Sequence, residues 1–206
     1  ASLGGGNAFL NAKWSRLMSP RWFSTTSLQY SRYSYSAEMD MGMDMKGDAK
    51  IDDYGIRQEF RYQPGNNSTW RMGFQSTYHD LAPGDYQTES DVKNTLNLHH
   101  RYSWENGLYI SNQLKLGQHL EVLYGLRLSI FSALGKGEYY ELDENKEVVD
   151  SLWYGAGKFV KTYVNLEPRL SAVYRLNDAS SVKASYARTV QNMHLLTYVN
   201  MGSPFD

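Results

Sequence analysis

Apolar and polar residues alternate with a period of two along most of this chain, and that alternation is its strongest constraint. From His119 to Ile130, Leu120, Val122, Tyr124, Leu126, Leu128 and Ile130 fall on one face. His119, Glu121, Gly125, Arg127 and Ser129 fall on the other, with Leu123 as the misfit. From Thr69 to His79, Trp70, Met72, Phe74 and Tyr78 alternate with Arg71, Gly73, Gln75, Thr77 and His79; Ser76 is the polar exception. From Tyr54 to Tyr62, Tyr54, Ile56, Phe60 and Tyr62 oppose Gly55, Arg57, Glu59 and Arg61, with Gln58 out of place. A helix built from these segments would scatter Arg and Glu around its apolar stripe, whereas successive strand residues point to opposite faces. Weaker versions of the pattern run through Asn7–Met18, Trp22–Tyr35, Tyr102–Leu116, Lys161–Leu176 and Ser181–Thr189. The chain is expected to be all-β, an antiparallel up-and-down meander of about eight strands, most longer than the roughly five or six residues usual in soluble sheets.

No apolar run approaches the roughly 18–20 residues of a membrane-spanning helix, so a transmembrane helix is excluded. A spanning β-strand needs only about 9–11 tilted residues with every other one apolar, and such a chain stays polar on average. A mean hydropathy of −0.58 is compatible with that. Lys and Arg number 21 against 22 Asp and Glu, a net charge of −1, which gives no electrostatic basis for binding nucleic acid. Without cysteine there is neither a disulfide framework nor a thiolate metal site. The opening Ala1-Ser2-Leu3-Gly4-Gly5-Gly6 has no charged start and no apolar core, so it does not read as a signal peptide. A mature form or a fragment is expected.

The connections alternate as well. Ser19-Pro20-Arg21, Pro64–Ser68, Gly117-Gln118 and Asn177–Ser180 have the residues of tight turns. Between them lie long polar excursions at Ser36–Lys50, Asp80–Arg101 and Ser132–Val160. Outer-membrane barrels sort their connections this way, with short periplasmic turns and long external loops; a soluble sandwich has no reason to. Aromatic positions agree with the barrel. Trp14, Trp22, Tyr62, Trp70 and Tyr174 lie beside the short turns on the apolar face, and Tyr54, Tyr78 and Tyr30 lie towards the long loops. Two rings of amphipathic aromatics bracketing an aliphatic band form the girdle of a bilayer-spanning barrel. In a soluble protein the same aromatics would be core residues.

If the short turns are periplasmic, the first strand runs down into Ser19-Pro20-Arg21 and the last runs up from Asn177–Ser180. Both ends then emerge on the loop side, unlike a complete bacterial barrel whose termini lie with the turns. One segment of a larger barrel is expected over residues 1–206. Its edges, Ala8–Met18 and Ser181–Thr189, should pair with strands from elsewhere.

The run Leu166-Glu167-Pro168-Arg169-Leu170-Ser171, followed by Tyr174-Arg175-Leu176-Asn177, Ser180–Arg188 and Gln191–Leu196, resembles the barrel of TonB-dependent outer-membrane receptors. So do Asp53-Tyr54-Gly55-Ile56, running into Phe60-Arg61-Tyr62 and the Pro64–Asn67 turn, and the run Gly125-Leu126-Arg127-Leu128-Ser129. The resemblance covers most of the chain and implies a barrel of the 22-stranded, plugged type, of which about eight strands would be a central third. It implies the bacterial outer membrane as the location and import of a nutrient or metal chelate as the activity. The implied partners are outer-membrane lipid, the remainder of the barrel and its plug, a small-molecule or oligomer substrate, and TonB, contacted through parts not in this chain. Two rivals stand beside it: a complete small eight-stranded barrel with a structural or adhesion role, and a soluble β-rich carbohydrate-binding module.

On the polar faces, Arg57, Glu59, Arg61, Arg71, Glu121, Arg127, Glu167, Arg169 and Arg175 form a candidate charged wall towards the lumen. The plain alternative is a solvated, mutually paired charge ladder. The excess of Arg suggests an acidic partner surface, the plug foremost. Met39, Met41, Met43 and Met45 alternate with Asp40 and Asp44. Thioethers are soft ligands for Cu(I), but without a protected cavity the segment reads first as a strand extension or loop, and no metal site is assigned. No Gly-x-Ser-x-Gly elbow, phosphate loop or nucleophile–base pair is present, so neither an enzyme nor a cofactor is expected.

Overall fold

The computed structural model describes residues 2–40, 44–82, 85–88, 96–97, 100–142 and 148–191. Its strands in chain order are β1 (Ser2–Ser19), β2 (Trp22–Asp40), β3 (Asp44–Gly65), β4 (Ser68–Ala82), β5 (Asp85–Thr88) and β6 (Leu96–Asn97). They continue with β7 (Arg101–Leu116), β8 (Leu120–Leu134), β9 (Gly137–Leu142), β10 (Val148–Tyr154), β11 (Phe159–Asn177) and β12 (Ser180–Ala187). The long strands form one meander in the order β1-β2-β3-β4-β7-β8-β11-β12. Every neighbouring pair in it is antiparallel. Short β5 pairs with β3 and β6, and β9 with β10 makes a separate hairpin.

Away from shifts at strand ends, each register of the meander pairs even-numbered with even-numbered positions and odd with odd. Directly opposite residues of an antiparallel pair share a face. All even positions therefore lie on one side of the sheet and all odd positions on the other, and the sequence period seen strand by strand becomes a property of the whole sheet.

The tight turns β1–β2, β3–β4, β7–β8 and β11–β12 lie at one end of the sheet, and the connections β2–β3, β4–β7 and β8–β11 lie at the other. The long connections differ from the expected loops in one respect. β2 and β3 stay paired through Ser36–Lys50 as far as Asp40 opposite Asp44. Gly, Asp and Lys depress strand propensity there, and no aliphatic face marks the period, yet each backbone N–H and C=O still gains from continuing the ladder. Within Ser132–Val160, β8 runs on to Leu134, β11 starts at Phe159, and the β9–β10 hairpin fills the middle.

Among the described residues no second layer covers the even face. Leu10, Leu28, Leu108, Leu126, Leu166 and Leu170 are exposed on it, and among the described residues only Phe131 and Leu134 are buried apolar side chains. A soluble domain must bury its apolar sheet face against another element, so this arrangement does not suit the soluble-module rival. The sheet is also open: among the described residues β1 pairs only with β2, and β12 only with β11. The ring closure that a small eight-stranded barrel requires is not formed.

At the β7–β8 turn Gly117 has φ 65°, and an added Cβ would meet nothing within 4 Å. Its cost is then conformational alone, so Gly117→Ala should destabilise the folded protein by about 1 kcal/mol. Equilibrium unfolding in lipid bilayers checks this, and an unchanged midpoint would mean that the turn does not hold the register.

Candidate functional site

The odd face carries all nine residues of the expected charged wall, as the registers require. Glycines on that face decide how they interact. Tyr109 lies opposite Gly73, which lies opposite Glu59. With no side chain at Gly73, the phenol reaches across β4 and donates to Glu59 Oε2 at 2.9 Å. Arg57 Nη2 donates to the same oxygen at 2.9 Å and to the Tyr109 hydroxyl at 3.3 Å. Arg127 likewise lies over Gly107, where an added Cβ would fall 2.5 Å from its Nη2. From there Arg127 approaches Glu105 at 3.8 Å. Glu167, the cross-strand partner of Arg127, is only 2% exposed, with Arg169 Nη2 at 3.6 Å. Gln113 Nε2 donates to Glu121 at 2.5 Å.

The wall is thus paired in part. Arg71 and Arg175 have no ion pair among the described residues. Arg61 stacks on Phe23 with its guanidinium carbon 5.0 Å from the ring centroid, and its Nε is buried without a hydrogen-bond partner among the described residues. Further towards the loop end, His79 Nδ1 lies 2.7 Å from Asp53 Oδ1, and Ser31 donates to Asp53 Oδ2 at 3.2 Å. Tyr109 and Asp53 were not singled out from sequence. Tyr109 was legible as an aromatic on the polar face, which signals a hydrogen-bonding rather than a packing role.

All seven girdle aromatics lie on the even face. Near the turns, Trp22 stacks on Tyr62 at 4.5 Å, Tyr62 pairs with Trp70, and Trp70 meets Tyr124 edge-on at 6.2 Å. Tyr174 lies opposite Leu120 at the same end. Near the loops, Tyr30 meets Tyr54 at 5.2 Å, Tyr54 pairs with Tyr78, and Tyr78 stacks on Tyr102 at 6.1 Å. Trp14 stands apart: it lies five residues before the end of β1 at Ser19 and pairs with Thr26, and so lies inward of Trp22 on the same face. Tyr102, Trp104 and Tyr124 extend the rows and were missed, although parity and distance from the turns would have found them.

The polar misfits of the apolar face are matched to one another. Gln58 accepts from Thr26 at 2.5 Å and donates to Ser24 at 2.8 Å. Ser76 accepts from Trp104 Nε1 at 2.8 Å. Asn112, opposite Trp70 and Tyr124, accepts from Ser68 and donates to the Tyr124 hydroxyl, both at 3.1 Å. One step beyond the loop-end aromatics, Asp52 accepts from Arg32 Nε at 2.7 Å, Lys50 at 2.6 Å and Tyr30 at 2.8 Å. Of the Met segment, the backbones of Met39 and Met45 pair, while Met41 and Met43 lie outside the described residues. No group of three or more His, Asp or Glu fit for a metal occurs among the described residues.

Two aromatic rows around an aliphatic band on one face, a charged ladder on the other, and connections sorted by length define a segment of an outer-membrane β-barrel. The family model of the TonB dependent receptor-like β-barrel matches residues 2–203, and the chain belongs to that family of bacterial outer-membrane transport receptors. A similar solved structure is the FrpB iron transporter from Neisseria meningitidis (F5-1 variant, apoprotein form), with a TM-score of 0.48 and 11% identity. That similarity covers 89% of this chain and 36% of the FrpB chain. Comparison with curated protein sequences gives no match.

A Cβ at Gly73 would lie 2.1 Å from the Gln58 carbonyl, a backbone atom that cannot yield without opening the β3–β4 ladder. Gly73→Ala should therefore destabilise the folded protein by about 1–3 kcal/mol. Gly65→Ala, which meets nothing within 4 Å, is the control and should be near neutral. Unfolding midpoints in bilayers compare the two, and equal effects would contradict the close packing at Gly73.

Proposed function

We propose that this chain forms the central part of the transmembrane barrel of a TonB-dependent receptor that imports a nutrient or metal chelate. The observation that carries the reading is the uncovered apolar face with its two aromatic rows, which suits lipid and nothing aqueous. In this reading the even face meets hydrocarbon and the odd face lines the lumen. Strands β1 and β12 then cannot remain edges, because each unsatisfied N–H or C=O in hydrocarbon costs several kcal/mol. Both pair with further strands of the same barrel. The wall of Arg57, Glu59, Arg61, Arg71, Glu121, Arg127, Glu167, Arg169 and Arg175 grips a plug and guides substrate past it. TonB acts through parts of the receptor outside this chain, and energy for transport enters there. The paired charges of the lumen face hold structure and position; none of them is assigned a chemical step.

Uptake by cells expressing or lacking the full-length receptor, assayed with ferric chelates and oligosaccharides as probes, tests the function. Receptor-dependent uptake that stops when TonB is deleted is expected for at least one probe, and uptake indifferent to TonB would contradict the reading. Orientation of the faces has its own check. Leu126→Arg should cost about 2–4 kcal/mol of folding free energy into bilayers if the position lies near the midplane. Tolerance of that charge would mean that the even face looks into water.

A further inference from the structure

The even face carries a charged cluster just past its loop-end aromatic row. Arg32 and Asp52 are direct cross-strand partners two residues beyond the Tyr30–Tyr54 pair, and Lys50 lies two residues further on β3. Asp52 is 4% exposed and accepts from three donors, Arg32 Nε at 2.7 Å, Tyr30 at 2.8 Å and Lys50 at 2.6 Å. Two cations therefore share one sealed carboxylate. Arg32 spends only its Nε on it, so the terminal N–H groups of its guanidinium have no hydrogen-bond partner among the described residues. Both cationic side chains stay nearly half exposed, at 46% for Arg32 and 43% for Lys50.

Depth decides what these cations meet. Hydrocarbon is about 30 Å thick and the bilayer with its headgroups about 40–45 Å, so each headgroup layer is roughly 5–8 Å deep. Girdle aromatics mark the boundary between the two. Barrel strands rise about 3.4 Å per residue and tilt by about 35–45°, so Arg32 stands about 5 Å beyond the aromatic row. Lys50 stands about 10 Å beyond it and reaches back to Asp52. The loop end of an outer-membrane barrel is the external one. We infer that Arg32 and Lys50, held on Asp52, bind a phosphate group on a lipid headgroup of the outer leaflet. The site rests on the barrel reading given under Proposed function and lies on the opposite face from the charged wall.

Arg32 and Lys50 are diagonal neighbours across β2 and β3, a separation of about 7–8 Å. Both long side chains reach a single phosphate from there, and a guanidinium fork matches phosphate oxygens in pairs. The flanks of the pair are low. Ala8 and Gly6 on β1 lie opposite Arg32 and Ser34, and Ala82 on β4 lies opposite Lys50. None of these three raises a side chain larger than methyl, so a bulky headgroup has room beside the cations. Asp80, opposite Asp52 on β4, lies on the far side from Arg32 and has His100 Nδ1 at 3.1 Å. Its charge confines the site to the β2–β3 side. A lipid is favoured over a free anion, because acyl chains embedded beside the even face hold the phosphate at this depth and raise its effective concentration.

The test uses the purified full-length receptor in detergent, with native mass spectrometry reading the bound lipid. The probes are lipid A carrying its phosphates, the same glycolipid with its phosphates removed, and inorganic phosphate. The phosphorylated glycolipid is expected to bind at least about tenfold more tightly than the dephosphorylated one, as charge-assisted hydrogen bonds imply. Arg32→Gln/Lys50→Gln should lose that preference, whereas Lys183→Gln, on the odd face opposite Val173, should keep it. Where the double variant fails to insert, the single Lys50→Gln should lower the preference by about fivefold. Equal binding of both glycolipids by the unaltered receptor would overturn the site. So would an unchanged preference in an inserted variant, an equal loss in Lys183→Gln, or displacement of lipid A by millimolar inorganic phosphate. Each of these leaves the barrel intact, whereas tolerance of Leu126→Arg would remove the barrel reading and the site together.

Discussion

Preserved parity of the backbone ladder is the constraint on which the rest of this structure depends. Each backbone amide in a spanning sheet needs a partner, because hydrocarbon supplies none. Antiparallel pairing between sequential strands meets that need with the shortest connections, and each strand then imposes its register on the next. Since every register here joins even to even and odd to odd positions, a one-residue slip between two neighbouring strands would turn every strand beyond it over. A slip between β4 and β7 would carry Arg127 onto the face that holds Ile56 and Phe60. The shifts that do occur lie where strands meet their turns, as between Tyr62 and Gly65, or beyond the loop-end aromatics, as at Phe159. There they disturb no charged residue of the wall.

With the faces fixed, the odd side must fit large charged groups onto a pleated surface without a core to anchor them. Its solution is to set glycine beside each long side chain that has to cross a strand. Gly73 admits Tyr109 to Glu59, and Gly107 admits the Arg127 guanidinium. Glycine weakens a strand by conformational entropy and missing packing, and the side chains lying over it restore contact at the same position. The charges gain geometry from this rather than large net stability, because exposed ion pairs contribute little.

Fold class, the eight long strands of the meander, the sorting of connections and both faces were legible because they follow from a period of two that a few residues per strand suffice to show; the short β5, β6, β9 and β10 inside the polar connections were not. Gln58, Ser76 and Leu123 looked like defects in that pattern. Two of them proved to be polar groups satisfied sideways, by Ser24 and Thr26 for Gln58 and by Trp104 for Ser76. Such pairing depends on register between strands distant in sequence, which periodicity within one strand does not contain. The same holds for Asp52 with Arg32 and Lys50, and for Asp53 with His79. The extension of β2 and β3 to Asp40 and Asp44 was illegible for another reason. Alternation reports a boundary between two solvents, and a ladder that continues without such a boundary leaves no periodic trace.

The distribution of unsatisfied groups closes the argument. On the apolar face the polar side chains of Gln58, Ser76 and Asn112 are matched within the sheet, as a surface without water demands. On the charged face two buried nitrogens, Arg61 Nε and His79 Nε2, have no hydrogen-bond partner among the described residues. Buried polar atoms in folded proteins are nearly all satisfied, so an exception calls for a physical cause. Here both exceptions fall on the same side of one sheet, the side that carries the charged residues. A face that completes its own hydrogen bonds is built to meet lipid. The other face sets like charges opposite each other at Arg61 and Arg71, with no carboxylate partner among the described residues.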